Sequence, residues 1–106
     1  MNNLIEIKKY EFNDINNSGI VIQFTKILKI CSLQLAQIAE KPEQKDMIEI
    51  GIIPEEFRPN NQISFCSDAE IQNSFLEIKI STNGSISYKR RQSGIYSYAT
   101  VSYITK

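Results

Sequence analysis

Phe75-Leu76-Glu77-Ile78-Lys79-Ile80, Thr82-Asn83-Gly84, Ser85-Ile86-Ser87-Tyr88-Lys89: these residues decide the fold class. Leu76, Ile78 and Ile80 alternate with Glu77 and Lys79, the period-2 pattern of a half-buried strand. Asn83-Gly84 is the hairpin turn, because both residues tolerate φ > 0 and a primed two-residue turn matches strand twist. Ile86 and Tyr88 then alternate on the returning strand. The hairpin therefore predicts antiparallel β structure from residue chemistry alone.

Working outward, the same reading extends in both directions. Arg90 to Gly94 is polar, ends in glycine and reads as a loop. Tyr96 to Ile104 is rich in aromatic and β-branched residues and reads as a long terminal strand. Tyr96 and Tyr98 fall on one face of it and Ala99, Val101 and Tyr103 on the other. Upstream, Gln62–Ser67 is a short strand with Ile63 and Phe65 inward, and Met47–Ile53 is a strand running into Pro54. Gly19–Phe24 is a strand with Ile20, Ile22 and Phe24 on one face. Asn13–Gly19 and Ala39–Asp46 read as loops, and Leu4–Ile7 as a strand or as an arm docking on a neighbour. Residues 27–39 admit two readings. Leu28, Cys31, Leu35 and Ile38 recur at helical spacing, with Thr25 as cap and Pro42 as stop. Cys31, Leu33 and Leu35 also alternate as a strand, which then needs a bulge near Ile30-Cys31 or burial on both faces. Periodicity leans to helix, and the β surroundings lean to strand.

Seven or eight strands with regular turn signals predict an antiparallel β-sandwich or jelly roll. The length of 106 residues suits one domain. A chain of this size buries roughly 65% of its unfolded surface, enough for a core without metal or disulfide staples. Apolar residues make up 42% and charged residues 23%, which argues against disorder. No apolar run approaches the roughly 20 residues of a bilayer span, so no membrane insertion is expected. The N-terminus lacks a basic region followed by an apolar signal core. The expectation is action where the chain is made, or release by lysis within a particle. Lys+Arg and Asp+Glu are 12 each, so there is no positive excess to capture a phosphate backbone, and nucleic acid is not expected as a partner. Cys31 and Cys66 have no CxxC or CxxH neighbour and the chain has no histidine, so no metal site and no cofactor is expected. Two buried free thiols are favoured over a disulfide.

Gly51-Ile52-Ile53-Pro54-Glu55-Glu56-Phe57-Arg58-Pro59 is the most distinctive motif. An apolar strand meets a proline, two acids, an aromatic, an arginine and a second proline. This resembles the small β-domains at the tips of bacteriophage tail proteins, where a strand ends in a leucine-proline-glutamate-glycine-tyrosine-arginine-proline type of turn. The resemblance covers residues 19–106, with Glu56 where the family often has glycine. Residues 1–18 fall outside it and are read as an N-terminal arm or edge strand, leaving 19–106 as the β-sandwich head domain. It places a long strand over 27–39, so strand is the reading taken there, with Thr25-Lys26 as the tight connection before it. It further implies a homotrimer in the virion, at a tail, baseplate or fibre tip. Other virion proteins and host cell-surface saccharide are the partners it implies, with no enzymatic activity. The alternative is a purely structural virion protein, such as a head fibre or decoration trimer.

Pro54, Glu55, Phe57, Arg58 and Pro59 read first as a structural turn, because proline fixes φ and ends a ladder. Phe57 is expected at the core edge and Arg58 in a local pair with Glu55 or Glu56 or with a neighbouring subunit. Adjacent carboxylates in one turn do not flank a scissile bond, so they do not make a glycosidase pair. The candidate ligand residues are Arg90 and Arg91 in the one basic run, with Tyr96 and Tyr98 after them. Arginine forks grip carboxylate or phosphate and aromatic faces stack on sugar rings. The competing readings are a solvated hairpin-end loop for the arginines and a subunit contact for the tyrosine face.

Overall fold

The computed structural model describes residues 5–69, 75–91 and 97–106. Among these the protein is all-β, with nine strands in two antiparallel sheets around one core. The five-stranded sheet has the order β1 (Ile7–Asp14), β2 (Ile20–Ile27), β3 (Ile30–Gln37), β9 (Ser97–Ile104), β6 (Asp68–Ala69). The four-stranded sheet has the order β4 (Gln44–Ile52), β8 (Ser85–Arg90), β7 (Leu76–Ile80), β5 (Ile63–Cys66). Ile20, Ile22, Phe24, Leu33 and Leu35 from one sheet meet Leu76, Ile78, Ile80 and Ile86 from the other. Each of these side chains contributes about 1.5–3 kcal/mol by leaving water.

Residues 30–37 are strand, and no part of 27–39 is helix. Cys31, Leu33 and Leu35 are buried, as the alternation requires, while Ile30 is exposed. The parity conflict at Leu28 and Ile30 needs neither a bulge nor two-sided burial, because β2 and β3 pair in unbroken register from Ile20↔Gln37 to Ile27↔Ile30. The connection is Leu28-Lys29, not Thr25-Lys26; Leu28 sits in the turn with φ 58°. Thr25 and Lys26 instead continue the ladder opposite Ser32 and Cys31.

The Asn83-Gly84 hairpin forms between β7 and β8, with a longer loop than a two-residue primed turn. Ile80 faces Ile86, the Gly84 amide donates to the Ser81 carbonyl, and the Ser81 amide donates to the Ser85 carbonyl. Of the two turn residues only Gly84 has positive φ, at 89°. This is a three-residue loop closed by a glycine bulge. A side chain at Gly84 would also collide with the Arg58 side chain and the Ile53 carbonyl.

Residues Ile7–Asp14 form an edge strand in full register with β2 and put Phe12 into the core. The segment 39–46 is only partly loop, since β4 begins at Gln44, earlier than Met47, and its pairing with β8 is broken by two register shifts. Such irregularity suits an edge strand, which must avoid pairing with strangers. Both cysteines are free, and only Cys31 is buried. Cys66 is exposed because β5 turns Ser64 and Cys66 outward while Ile63 and Phe65 pack on the core. The expected start of the last strand, Tyr96, lies outside the described residues.

Register places like side chains in rows on the outer face of the five-stranded sheet. Ile7, Ile27, Ile30 and Ile104 form one row across four strands. Thr25, Ser32 and Ser102 form a hydroxyl row, with the Ser32 and Ser102 oxygens 3.0 Å apart. Gln23, Gln34 and Thr100 form the next row, and Val21, Ala36 and Tyr98 the last.

Candidate functional site

The proline turn is built as a bolt between the sheets. Pro54 precedes a single 3-10 turn, Glu55–Phe57. Phe57 is buried against the rings of Tyr10 and Phe24, at centroid separations of 5.7 and 6.2 Å. Its carbonyl accepts a 2.5 Å hydrogen bond from the buried Tyr103 hydroxyl of β9. Pro59 bridges to Thr105. Arg58 does not pair with Glu55 or Glu56; its Nε donates to the Ile53 carbonyl at 3.0 Å. The carboxylate of Glu56 is held by Lys8 at 3.0 Å, and its backbone carbonyl by Lys26. These contacts make the motif a structural element, with Phe57 deeper than the core edge.

Arg90 is a second bolt and not an exposed loop residue. It ends β8 on the inward side, after Ile86 and Tyr88, and is 1% exposed. Its Nε donates to Gln37 Oε1 at 3.0 Å, and its two terminal nitrogens donate to the carbonyls of Pro42 (2.8 Å) and Ser18 (2.6 Å). The guanidinium also lies 5.3 Å from the Tyr88 ring centroid. Burial lowers its pKa from the usual arginine value. Every one of these contacts serves the fold, and the fork is not presented to a ligand.

Arg91 takes the opposite parity and is exposed. It lines a cleft of about 560 Å³ on the outer face of the four-stranded sheet, with Glu43 just before β4 and Lys45 within it, Phe75 just before β7 and Glu77 within it, and Lys89 from β8. The Arg91 guanidinium covers the Phe75 ring at 5.9 Å, and its amide donates to the Phe75 carbonyl. Lys89 and Glu77 form an ion pair at 2.9 Å. Tyr98 does not join this group. It projects from the outer face of the other sheet, where it lines a separate depression with Val21, Gln34 and Ile38. Tyr96 lies outside the described residues. The four residues expected at one ligand site are thus divided among a core bolt, a cleft and the far face.

The cleft offers arginine and lysine donors, a carboxylate acceptor at Glu43 and a partly covered aromatic ring. That set suits a polar ligand carrying an anionic group and hydroxyls, and its volume lies in the range of small-molecule sites. Lys45 and Glu43 escaped sequence reading because β4 reaches the cleft only through pairing with β8. Among the described residues, no three His, Cys, Asp or Glu side chains are grouped to hold a metal. No protein-family model matches this chain, and no curated protein is significantly similar to it.

Proposed function

We propose that this protein is a non-catalytic component of a bacteriophage particle, a homotrimeric β-sandwich at a tail, baseplate or fibre tip, which contributes to attachment by holding an anionic saccharide of the host surface in the Arg91 cleft. The observation that carries the attachment is the Arg91–Lys45 pair of cations beside the Phe75 ring. The observation that supports the particle is the Pro54–Pro59 turn, set between the β4 and β5 strands in the order the resemblance implies. Arg91→Ala and Lys45→Ala should each remove a charge-assisted contact of about 1.5–3 kcal/mol, roughly a ten- to hundredfold loss in affinity for purified wall glycan. Unchanged binding, or absence of the protein from purified virions, would overturn the reading. The uncharged outer positions of β2, β3 and β9 favour the second reading, a structural virion protein. Capture of capsid or tail proteins with no binding to host envelope is its signature.

A further inference from the structure

The outer positions of β2, β3 and β9 carry no charged residue, although charged residues make up 23% of the chain. Charge enters only at the two edges among the described residues, with Lys9 and Glu11 on β1 and Asp68 on β6 opposite Tyr98. The outer face of the four-stranded sheet differs, for it carries Glu49, Glu77, Lys79 and Lys89. Depletion of charge with retention of large apolar groups marks the centre of a protein interface. The isoleucine row supplies those groups: Ile7, Ile27, Ile30 and Ile104 are 55%, 39%, 58% and 61% exposed. Beside it, Leu28 is 74% exposed and held at positive φ. A bulky residue in the left-handed region is uncommon and asks for a reason. Presentation of an apolar side chain next to Ile27 and Ile30 supplies one.

We infer that this face is a self-association surface, occupied by the same face of another copy of this chain. The inference rests on the proposed homo-oligomeric reading and names where the copies meet. Charge selects a copy over a foreign partner. In a face set against itself, a charge near the symmetry axis meets its own copy and repels it, and the three strands β2, β3 and β9 carry none there. The whole chain has equal numbers of cations and anions, so copies do not repel at range. The middle rows are hydroxyls and amides, which both donate and accept and therefore pair with their own kind. Area is of the right order. Four strands and eight residues cover about 19 by 26 Å, or roughly 500 Å² in projection. Protruding side chains add to that projection, against roughly 800 Å² per partner for a standard interface.

The test is the solution mass of the full chain by light scattering. Wild type is expected at a multiple of 12.2 kDa. Ile30→Lys with Gln34→Lys, both exposed on β3, should weaken assembly by about 100-fold through opposed like charge and give a 12.2 kDa species with unchanged circular dichroism. The pair Ile30→Glu with Gln34→Glu should do the same, and mixing the two variants should restore the multimer. Ser64→Glu on the opposite sheet should leave the mass unchanged. Gln34→Glu alone, near-isosteric and at an exposed position, should weaken assembly about tenfold. A monomeric wild type, a lysine pair that keeps the wild-type mass, or a mixture that fails to recover would overturn the inference. A mass of twice 12.2 kDa would keep it and remove the trimer. Glycan binding by the dispersed variants reports on the Arg91 cleft separately.

Discussion

The guanidinium of Arg90 is held by three oxygens that belong to separate parts of the chain: the Gln37 side chain and the carbonyls of Ser18 and Pro42. Neutral acceptors of this kind offset the desolvation of a cation only when every donor direction is used. Removing the side chain therefore does more than delete a charge. It leaves three oxygens without their donor, two of them, on Gln37 and Ser18, in buried surroundings. Arg90→Ala should cost about 3–5 kcal/mol, read as a lower urea midpoint at unchanged slope. Arg90→Lys keeps the charge but places it at one point, so it cannot span the fork and should recover less than half of that loss. The sequence did contain the signal: position 90 continues the inward parity of Ile86 and Tyr88. What hid it was the basic run Lys89-Arg90-Arg91, which suggests solvent for all three residues. Only the parity separates the buried arginine from the exposed one that lines the cleft.

At the scale of elements, the β2–β3 turn shows how strand structure overrides local preference. Helical spacing at Leu28, Cys31, Leu35 and Ile38 competes with the alternation Cys31, Leu33, Leu35. The alternation wins because β3 pairs on both sides, with β2 and with β9, and so satisfies its backbone along its whole length. Leu28 then falls at the first position of a two-residue turn, where a glycine is favoured. The left-handed conformation costs a non-glycine residue roughly 1–2 kcal/mol. Leu28→Gly should thus stabilise the isolated fold by about 1 kcal/mol, raising Tm by several degrees. It should also weaken self-association, because the exposed side chain it removes adjoins the isoleucine row. A rise in Tm with unchanged mass would detach the turn from the interface. The Asn83-Gly84 hairpin was legible as a hairpin but not as a loop type. Glycine there meets Arg58 and the Ile53 carbonyl, contacts from more than 20 residues away that no local pattern encodes.

Over the whole molecule, two tertiary bolts hold the sheets together. Arg90 on the four-stranded sheet reaches Gln37 at the end of β3. The proline turn joins from the other end, through Phe57 to Tyr10, Phe24 and Tyr103 and through Pro59 to Thr105. Strands β2, β3, β7, β8 and β9 were readable because each carries its own period, whereas most of β1 and the two-residue β6 were not read; the bolts escaped because each needs partners distant in sequence. The Tyr103 bolt makes stability depend on alkaline pH. Burial raises the Tyr103 pKa well above the usual tyrosine value, and contact with Cys31 raises it further. Burial likewise raises the Cys31 thiol, its partner across the β3–β9 ladder. An acid whose folded pKa is raised keeps its proton in the native state after the unfolded chain has lost it. The native state then binds more protons than the unfolded one, so stability falls as pH rises. The contribution is complete below the unfolded values, begins to fall near the thiol's ~8.5 and steepens above the phenol's ~10. Tyr103→Phe removes the steeper part. It should cost about 1 kcal/mol at neutral pH through the lost bond to the Phe57 carbonyl, and lose less than wild type between pH 9 and 11, the remaining fall being that of Cys31. Urea denaturation of both proteins across that range checks the sign. Parallel curves would mean that the hydroxyl is not the group whose ionisation loosens the two sheets.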